Sequence, residues 1–234
     1  MTQTPPLQAQ SVMIKKLLKK FTPFDTLSDD ELSKLAESSK FIEAPKHNYL
    51  YKKDDDAGLI YFLVQGTIKV GNTTKDGREI IKSIQHPVSF FGESCLVNQS
   101  NRVTFVKALN ADVAYFVINV EAIKDAMQHN FDFNIQVINM LGQKIKHYET
   151  RLESLLMDDA RTRIISFIKE LAIKSGVEIG YETLLKHNMT QQDIANFTGT
   201  SRQTVTSVLN DLKRSNQIYF KRKSILIRDI ESLS

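Results

Sequence analysis

Between Phe131 and Leu155 the apolar residues recur at alternating steps of three and four: Phe131, Ile138, Leu141, Ile145, Tyr148, Leu152 and Leu155, with Asn134 the one polar member of the series. This is the a/d spacing of a coiled-coil seam, narrower than the apolar stripe of a helix packed on its own domain. No proline interrupts the run, and its one glycine, Gly142, lies off the seam. At the rise of an α-helix it would extend roughly 36 Å, longer than most globular helices. A rod of that kind leaves one domain before it and another after it. Its seam predicts an identical helix across a two-fold axis, with Ile138, Leu141, Ile145, Tyr148, Leu152 and Leu155 at the interface and Asn134 helping to set register. An amphipathic helix covering its own domain is the plainer alternative.

At 234 residues the chain holds enough material for two domains with real cores. No stretch approaches the roughly twenty apolar residues of a membrane span, and the opening residues lack a signal-peptide core, so no membrane partner is expected and the cytoplasm is the expected compartment. Cys95 is the only cysteine, which excludes an internal disulfide, a four-thiolate iron–sulfur cluster and a four-thiolate zinc site within one chain. Histidines at 47, 86, 129, 147 and 187 show no ligand spacing, so no metal and no required cofactor is expected. A cupin-like metalloenzyme needs clustered ligands such as H-x-H on one strand, and none occurs. Nor is there a P-loop, a G-x-S-x-G elbow or a Cys–His pattern, so the chain is not expected to be an enzyme. The net charge of +4 is modest, but its distribution is not even. Lys213, Arg214, Lys221, Arg222, Lys223 and Arg228 fall between Leu212 and Arg228 with no Asp or Glu among them, and such a run invites a polyanion.

Taken in order, residues 1–10 read as a frayed tail and Ser11 to Phe21 as a short basic amphipathic helix. Its face of Ile14, Leu17, Leu18 and Phe21, ringed by Lys15, Lys16, Lys19 and Lys20, is expected to dock on the next domain rather than on a membrane. A second helix starts at Ser28 with Asp29, Asp30 and Glu31 in its first turn and Leu32, Leu35 and Ala36 inward. From Phe41 to Val120 the period changes to two. Short β-rich runs at Tyr49–Tyr51, Leu59–Val64, Thr67–Val70, Glu79–Ile84, Phe105–Leu109 and Val113–Ile118, separated by turn signals, predict a small antiparallel barrel or jelly roll. Glu121–Asn130 is a short helix leading into the long one. Beyond it lie a helix over Asp158–Ile173, an extended segment near Tyr181–Leu185, two further helices, and β-like runs at Ile218–Phe220 and Ile225–Ile227.

Residues 190–212, TQQDIANFTGTSRQTVTSVLNDL, read as a helix-turn-helix. Thr190 with Asp193 makes a capping box, Ile194 and Phe197 face inward, and Ala195 is small enough for a close helix crossing. Gly199 suits the turn because it tolerates positive φ. Ser201 caps the second helix, whose inner face is Val205, Val208, Leu209 and Leu212. The opposite face presents Arg202, Gln203, Thr206 and Asn210, with Ser207 at its edge; Arg suits guanine and Gln suits adenine in a major groove. Downstream, Lys221, Arg222 and Lys223 form a basic hairpin able to clamp phosphate as a wing. A helix pair that binds protein instead, in a dimeric ligand-sensing module, is the competing reading.

These motifs resemble those of the CRP/FNR regulators. The run at 189–218 follows the pattern T-Q-x-[DE]-I-A-x-x-x-G-x-S-R-x-T-V-x-x-x-L-x-x-L, and AGLIYFLVQGTIKV…KDGREI…FFGE…R is similar to that family's cyclic-nucleotide-type β-roll. The likeness runs from about Phe24 onward and includes the D-A-R-T-R-I segment at Asp159–Ile164. It implies a homodimeric transcription regulator gated by a small molecule, binding a palindromic operator and working with RNA polymerase. It also implies an effector pocket of Gly92, Glu93, Ser94, Arg102, Val103, Tyr148 and Glu149, in which Glu93 meets a ribose hydroxyl and Arg102 a cyclic phosphate. Three positions depart from the nucleotide-binding members: Val103 stands for a Ser or Thr, and Tyr148 and Glu149 for Thr and Ser. Each missing hydrogen-bond partner costs about 1–3 kcal/mol, which argues against plain cyclic AMP and for an unidentified effector. Arg102 is then expected to hold Glu93 in an internal ion pair. Gln203 and Ser207 replace a frequent Glu and Arg of the recognition helix, so a different base preference is expected.

The expected fold is therefore α+β: a tail and short basic helix over 1–22, an antiparallel, jelly-roll-like β-roll sensor domain over 23–130, a long dimerisation helix over 131–157, and a winged helix-turn-helix over 158–234.

Overall fold

The computed structural model describes residues 7–97 and 99–234. Helix α1 (Leu7–Leu18) begins earlier than expected: Leu7–Gln10 are helical rather than frayed, and the rest of the expected tail, 1–6, lies outside the described residues. Docking explains the extension. Ile14 and Leu18 are fully enclosed and Phe21 follows them into the same core, while Lys15 and Lys19 reach Asp29 at 2.5 and 3.3 Å. A 3-10 turn, Thr22–Thr26, leads to α2 (Asp29–Glu37), where Ser28 and Glu31 form a reciprocal capping box and Leu32, Leu35 and Ala36 point inward.

Strands β1 (Lys40–Ala44), β2 (Tyr49–Tyr51), β3 (Leu59–Gln65), β4 (Ile68–Thr73), β5 (Glu79–Gln85), β6 (Ser89–Phe91), β7 (Phe105–Ala108) and β8 (Val113–Asn119) build two four-stranded sheets. Their orders are β1-β8-β3-β6 and β2-β7-β4-β5. The expected strands are present, and β1 and β6 join them. At three residues β6 is too short to display a period, yet it pairs antiparallel with β3 from Tyr61–Phe91 to Leu63–Ser89.

The near-continuous apolar character of β3 and β8 has a simple cause: both faces are covered. Tyr61, Leu63, Tyr115 and Val117 point into the roll, among Phe91, Ile68 and Val106. Ile60, Phe62, Phe116 and Ile118 point outward, into a second core with Ile14, Phe21, Phe24, Leu35, Ile123 and Phe133. Phe62 and Phe116 stack at 4.9 Å, and Phe21 meets Phe62 edge-on at 5.2 Å.

Helix α3 (Val120–His129) follows, then the long helix α4 (Phe131–Met157). The Asn130 carboxamide oxygen accepts the Phe133 amide at 2.9 Å and starts α4. Phe133 and Val137 are the residues that bury, with Met140 and Leu141 partly packed beside them. The a/d seam is a different face: Ile138, Ile145 and Leu152 are 53, 58 and 57 % exposed. Leu141, counted in the seam by its spacing, leans on the core of its own domain.

In the remainder, α5 (Ala160–Ser175) is capped by Asp159, whose carboxylate accepts the Thr162 amide at 2.7 Å. Strands β9 (Val177–Ile179) and β10 (Glu182–Lys186), helices α6 (Gln191–Thr198) and α7 (Arg202–Arg214), and strands β11 (Ile218–Lys221) and β12 (Ser224–Ile227) complete a winged helix-turn-helix with sheet order β11-β12-β10-β9. The chain divides into two compact units. One runs to Asn72 and resumes at Ser83–Lys146; the other joins Thr73–Lys82 to His147–Ser234, so the division falls inside α4.

Candidate DNA-binding and effector sites

Helix α6 starts as its sequence predicts. Thr190 Oγ1 accepts the Asp193 amide at 3.1 Å, and the Asp193 carboxylate accepts the Thr190 amide at 2.9 Å. Replacing Thr190 by Ala is expected to cost about 1 kcal/mol, with Thr190→Ser near wild type. The midpoint of urea unfolding, followed at unchanged slope, measures it.

Gly199 ends α6 in the left-handed region, at φ 65° and ψ 42°. A Cβ there would also press on Leu155 at 3.1 Å, so Leu155, assigned by spacing to the seam, packs partly against this turn. Arg163 fastens the same turn: its Nε donates to the Thr198 carbonyl at 2.8 Å and another guanidinium N–H to the Gly199 carbonyl at 3.4 Å. Sequence reasoning did not single out Arg163, although it sits in the D-A-R-T-R-I segment.

Ser201 Oγ accepts the Thr204 amide at 3.0 Å and caps α7. Val205, Val208, Leu209 and Leu212 are buried on the side of α7 that packs on α5 and α6, as the 3.6-residue period demands. The other face is polar and open. Arg202, Gln203, Thr206, Ser207 and Asn210 line one surface, with Arg202, Gln203, Ser207 and Asn210 exposed. Thr206 is the exception: its one hydroxyl proton is shared within the motif between Gln191 Oε1 at 2.8 Å and the Arg202 carbonyl at 2.9 Å. The wing residues Lys221, Arg222 and Lys223 are exposed at the β11–β12 turn.

His187, the residue just after β10, anchors the wing, its amide donating to the Lys223 carbonyl at 2.9 Å. Burial holds the imidazole below its usual value of 6.5. A group with a depressed folded pKa binds fewer protons folded than unfolded over the window between the two values, so stability is lost as pH falls from 6.5 toward the folded pKa. The melting temperature of the winged domain is expected to drop over that range, and His187→Gln to flatten the drop.

In the roll, Gly92 adopts φ 82°, and a Cβ there would meet the Arg102 guanidinium at 2.9 Å. Arg102 is 1 % exposed. One of its terminal nitrogens donates to the Gly92 carbonyl at 2.8 Å and the other to the Leu59 carbonyl, and the guanidinium lies over the rings of Tyr51 and Tyr61 at 4.6 and 5.3 Å. The expected Arg102–Glu93 pair does not form. Two backbone carbonyls and the faces of Tyr51 and Tyr61 hold Arg102 instead, its buried Nε is left without a hydrogen-bond partner among the described residues, and Glu93 pairs with Lys144 of α4 at 2.9 Å. Lys144 also donates to the Phe90 carbonyl at 2.9 Å, and burial lowers its pKa while Glu93 opposes the shift. Lys144 lies off the seam and carried no signal in the sequence. Ser94 is half-buried in the 3-10 turn Glu93–Val97, and Val103 is exposed. Tyr148 and Glu149 are exposed on α4 within the second unit. As arranged, the two terminal nitrogens of Arg102 each donate to a carbonyl of the roll while the buried Nε has no partner among the described residues, so a cyclic phosphate would compete with two carbonyl contacts.

A two-sheet roll, a long helix and a helix-turn-helix with a polar outer face define a class: transcription regulators with a cyclic-nucleotide-binding-type domain and a DNA-reading domain. Comparison with known proteins agrees. The family model "Cyclic nucleotide-binding domain" matches residues 41–130 and "Crp-like helix-turn-helix domain" residues 162–234. The "CRP-like cAMP-activated global transcriptional regulator" of Mycobacterium tuberculosis is 23 % identical over 90 % of this chain and 94 % of its own. The "Global nitrogen regulator" of Synechocystis is 28 % identical over 77 and 80 %. The structure of FixK2 from Bradyrhizobium japonicum superposes with a TM-score of 0.75 at 19 % identity, covering 83 % of this chain and 95 % of that one. The chain belongs to the CRP/FNR family of transcription regulators. Its relatives are regulators rather than enzymes, and no catalytic activity is indicated. Among the described residues no helix is long and apolar enough to cross a membrane.

Proposed function

We propose that this regulator works as a homodimer that lays two copies of α7 into successive major-groove half-sites, under the control of a small molecule in the roll. The observation that carries the reading is the division of α7 into a buried apolar face and an open polar face of Arg202, Gln203, Ser207 and Asn210. The exposed Ile138, Ile145 and Leu152 support a second copy as the partner, since apolar residues in a coiled-coil register seek a matching helix. Two-fold symmetry then calls for a palindromic operator with half-sites about 34 Å apart. Lys221, Arg222 and Lys223 supply phosphate contacts that position without reading sequence. RNA polymerase is the partner the family suggests for the DNA-bound form.

Gating follows from Lys144. A ligand that engages Glu93 competes with the ammonium for the same carboxylate, and releasing Lys144 frees the side chain that ties α4 to the roll. The effector is a small molecule; with both terminal nitrogens of Arg102 donating to carbonyls and Val103 lacking a hydroxyl, cyclic AMP is a poor fit. A salt titration on random duplex tests the DNA reading: each phosphate contact adds about −0.9 to the slope of log K against log salt for B-DNA. Replacing the three wing cations by Ala should flatten that slope by about 2.7 for each wing on the duplex, or about 5 for a dimer with both wings engaged. Binding that ignores ionic strength excludes DNA as the partner.

A further inference from the structure

The second unit contains a cleft of about 230 Å³, well away in sequence from the cassette at Gly92–Arg102. One wall is the end of α4, with Thr150, Arg151 and Ser154; the other is α5, with Arg163, Ser166 and Glu170. Phe167 and Phe197 form the floor, their rings 4.4 Å apart. The Arg151 guanidinium lies 3.8 Å over the Phe197 ring, and its hydrogen bonds end on the carbonyls of Lys82, Ile81 and Phe197. Those of Arg163 end on the carbonyls of Asp158, Thr198 and Gly199. Two positive charges thus face one cleft, held by neutral dipoles. The carboxylate in the lining, Glu170, is engaged by Lys174 at 2.6 Å.

A cleft with an apolar aromatic floor and surplus positive charge at its walls complements a flat body bearing a negative group. We propose that it binds a small organic anion, a single-ring or short unsaturated carboxylic acid, with its body against Phe167 and the edge of the Arg151-covered Phe197 ring and its carboxylate toward Arg151 and Arg163. The volume lies below the roughly 300–1,000 Å³ of drug-sized pockets, which suits an acid of that size and not a nucleotide. The site also sits on the machinery it would control. The two guanidiniums that face the ligand hold the last carbonyls of α6, so occupancy bears directly on the turn that sets the angle of α7. This is a second effector site, in the DNA-binding half, and it stands whether or not the roll binds a ligand.

Titration calorimetry on the full chain without DNA, using phenylacetate, phenylacetamide and acetate, separates the contributions of charge and ring. Phenylacetate should bind one per chain and at least about tenfold tighter than either control, the size of one charge-assisted hydrogen bond. Ser166→Phe fills the cleft from an exposed position on α5 and should weaken phenylacetate by about tenfold or more at an unchanged melting temperature. Amide resonances of Thr150, Ser166 and Thr198 should shift on binding. Equal affinity for the amide, binding indifferent to Ser166→Phe, or failure of all three of phenylacetate, 2-hydroxybenzoate and 2,4-hexadienoate to bind at millimolar concentration overturns the proposal. None of these outcomes touches the DNA-reading role of α7, which the salt titration tests separately.

Discussion

Ile145→Lys yields a monomer. Ile145 is 58 % exposed in the single chain, so the change leaves the monomer fold within about 0.5 kcal/mol of wild type, as surface substitutions usually do. Across a two-fold seam the same residue faces its own copy, and each substituted dimer brings two ammonium groups together where two isoleucines packed. Like-charge juxtaposition at an interface costs several kcal/mol, which raises the dimer dissociation constant by about a thousandfold. Sedimentation equilibrium should show half the mass at concentrations where wild type is dimeric, with an unchanged far-ultraviolet dichroism spectrum. Operator affinity should fall with it, because two half-sites are then engaged by separate molecules instead of one. A variant that still sediments as a dimer places the interface elsewhere. The result would then favour the face of Val137, Met140 and Leu141 only if the roll lets go of it, and those residues pack on their own core.

Arg202→Ala has the second largest effect. Arg202 is at the N-terminal end of α7, exposed, and makes no side-chain hydrogen bond among the described residues, so its removal costs the fold little. A bidentate contact from such an arginine to guanine is worth about 1–3 kcal/mol of discrimination, or about five- to a hundredfold per half-site, and a dimer on a palindromic operator loses it in both. Affinity for random duplex should barely change, and one position of the selected site should lose its preference. Competition binding against a randomised library measures both. Thr206→Ala should do less, because the Thr206 hydroxyl already serves the Gln191 contact inside the motif.

The helix-turn-helix was legible because each of its steps uses local chemistry. A capping box at Thr190 and Asp193, a glycine that accepts φ 65°, and a cap at Ser201 need only residues within one turn of each other. The roll was legible as a class and not in detail. Period-two runs reported most strands, but β1 and the three-residue β6 take their identity from their partners β8 and β3. The effector cassette was least legible. Gly92, Glu93 and Arg102 carry the family pattern, yet their partners are long-range: Arg102 reaches Leu59, 43 residues away, and Glu93 is claimed by Lys144.

Sequence alone determined the division into roll, long helix and winged helix-turn-helix, because periodicity, caps and turn residues act over distances of a few residues. It also determined which face of α7 is polar, since one helical period sorts its side chains. Tertiary structure decided where each charge finds its counterpart. A buried cation takes whichever carbonyl, ring or carboxylate the packed backbone brings within about 3 Å, and no spacing along the chain records that choice. Arg102 on carbonyls, Lys144 on Glu93, Arg151 over the Phe197 ring and Arg163 on the carbonyls that end α6 are all decisions of that kind.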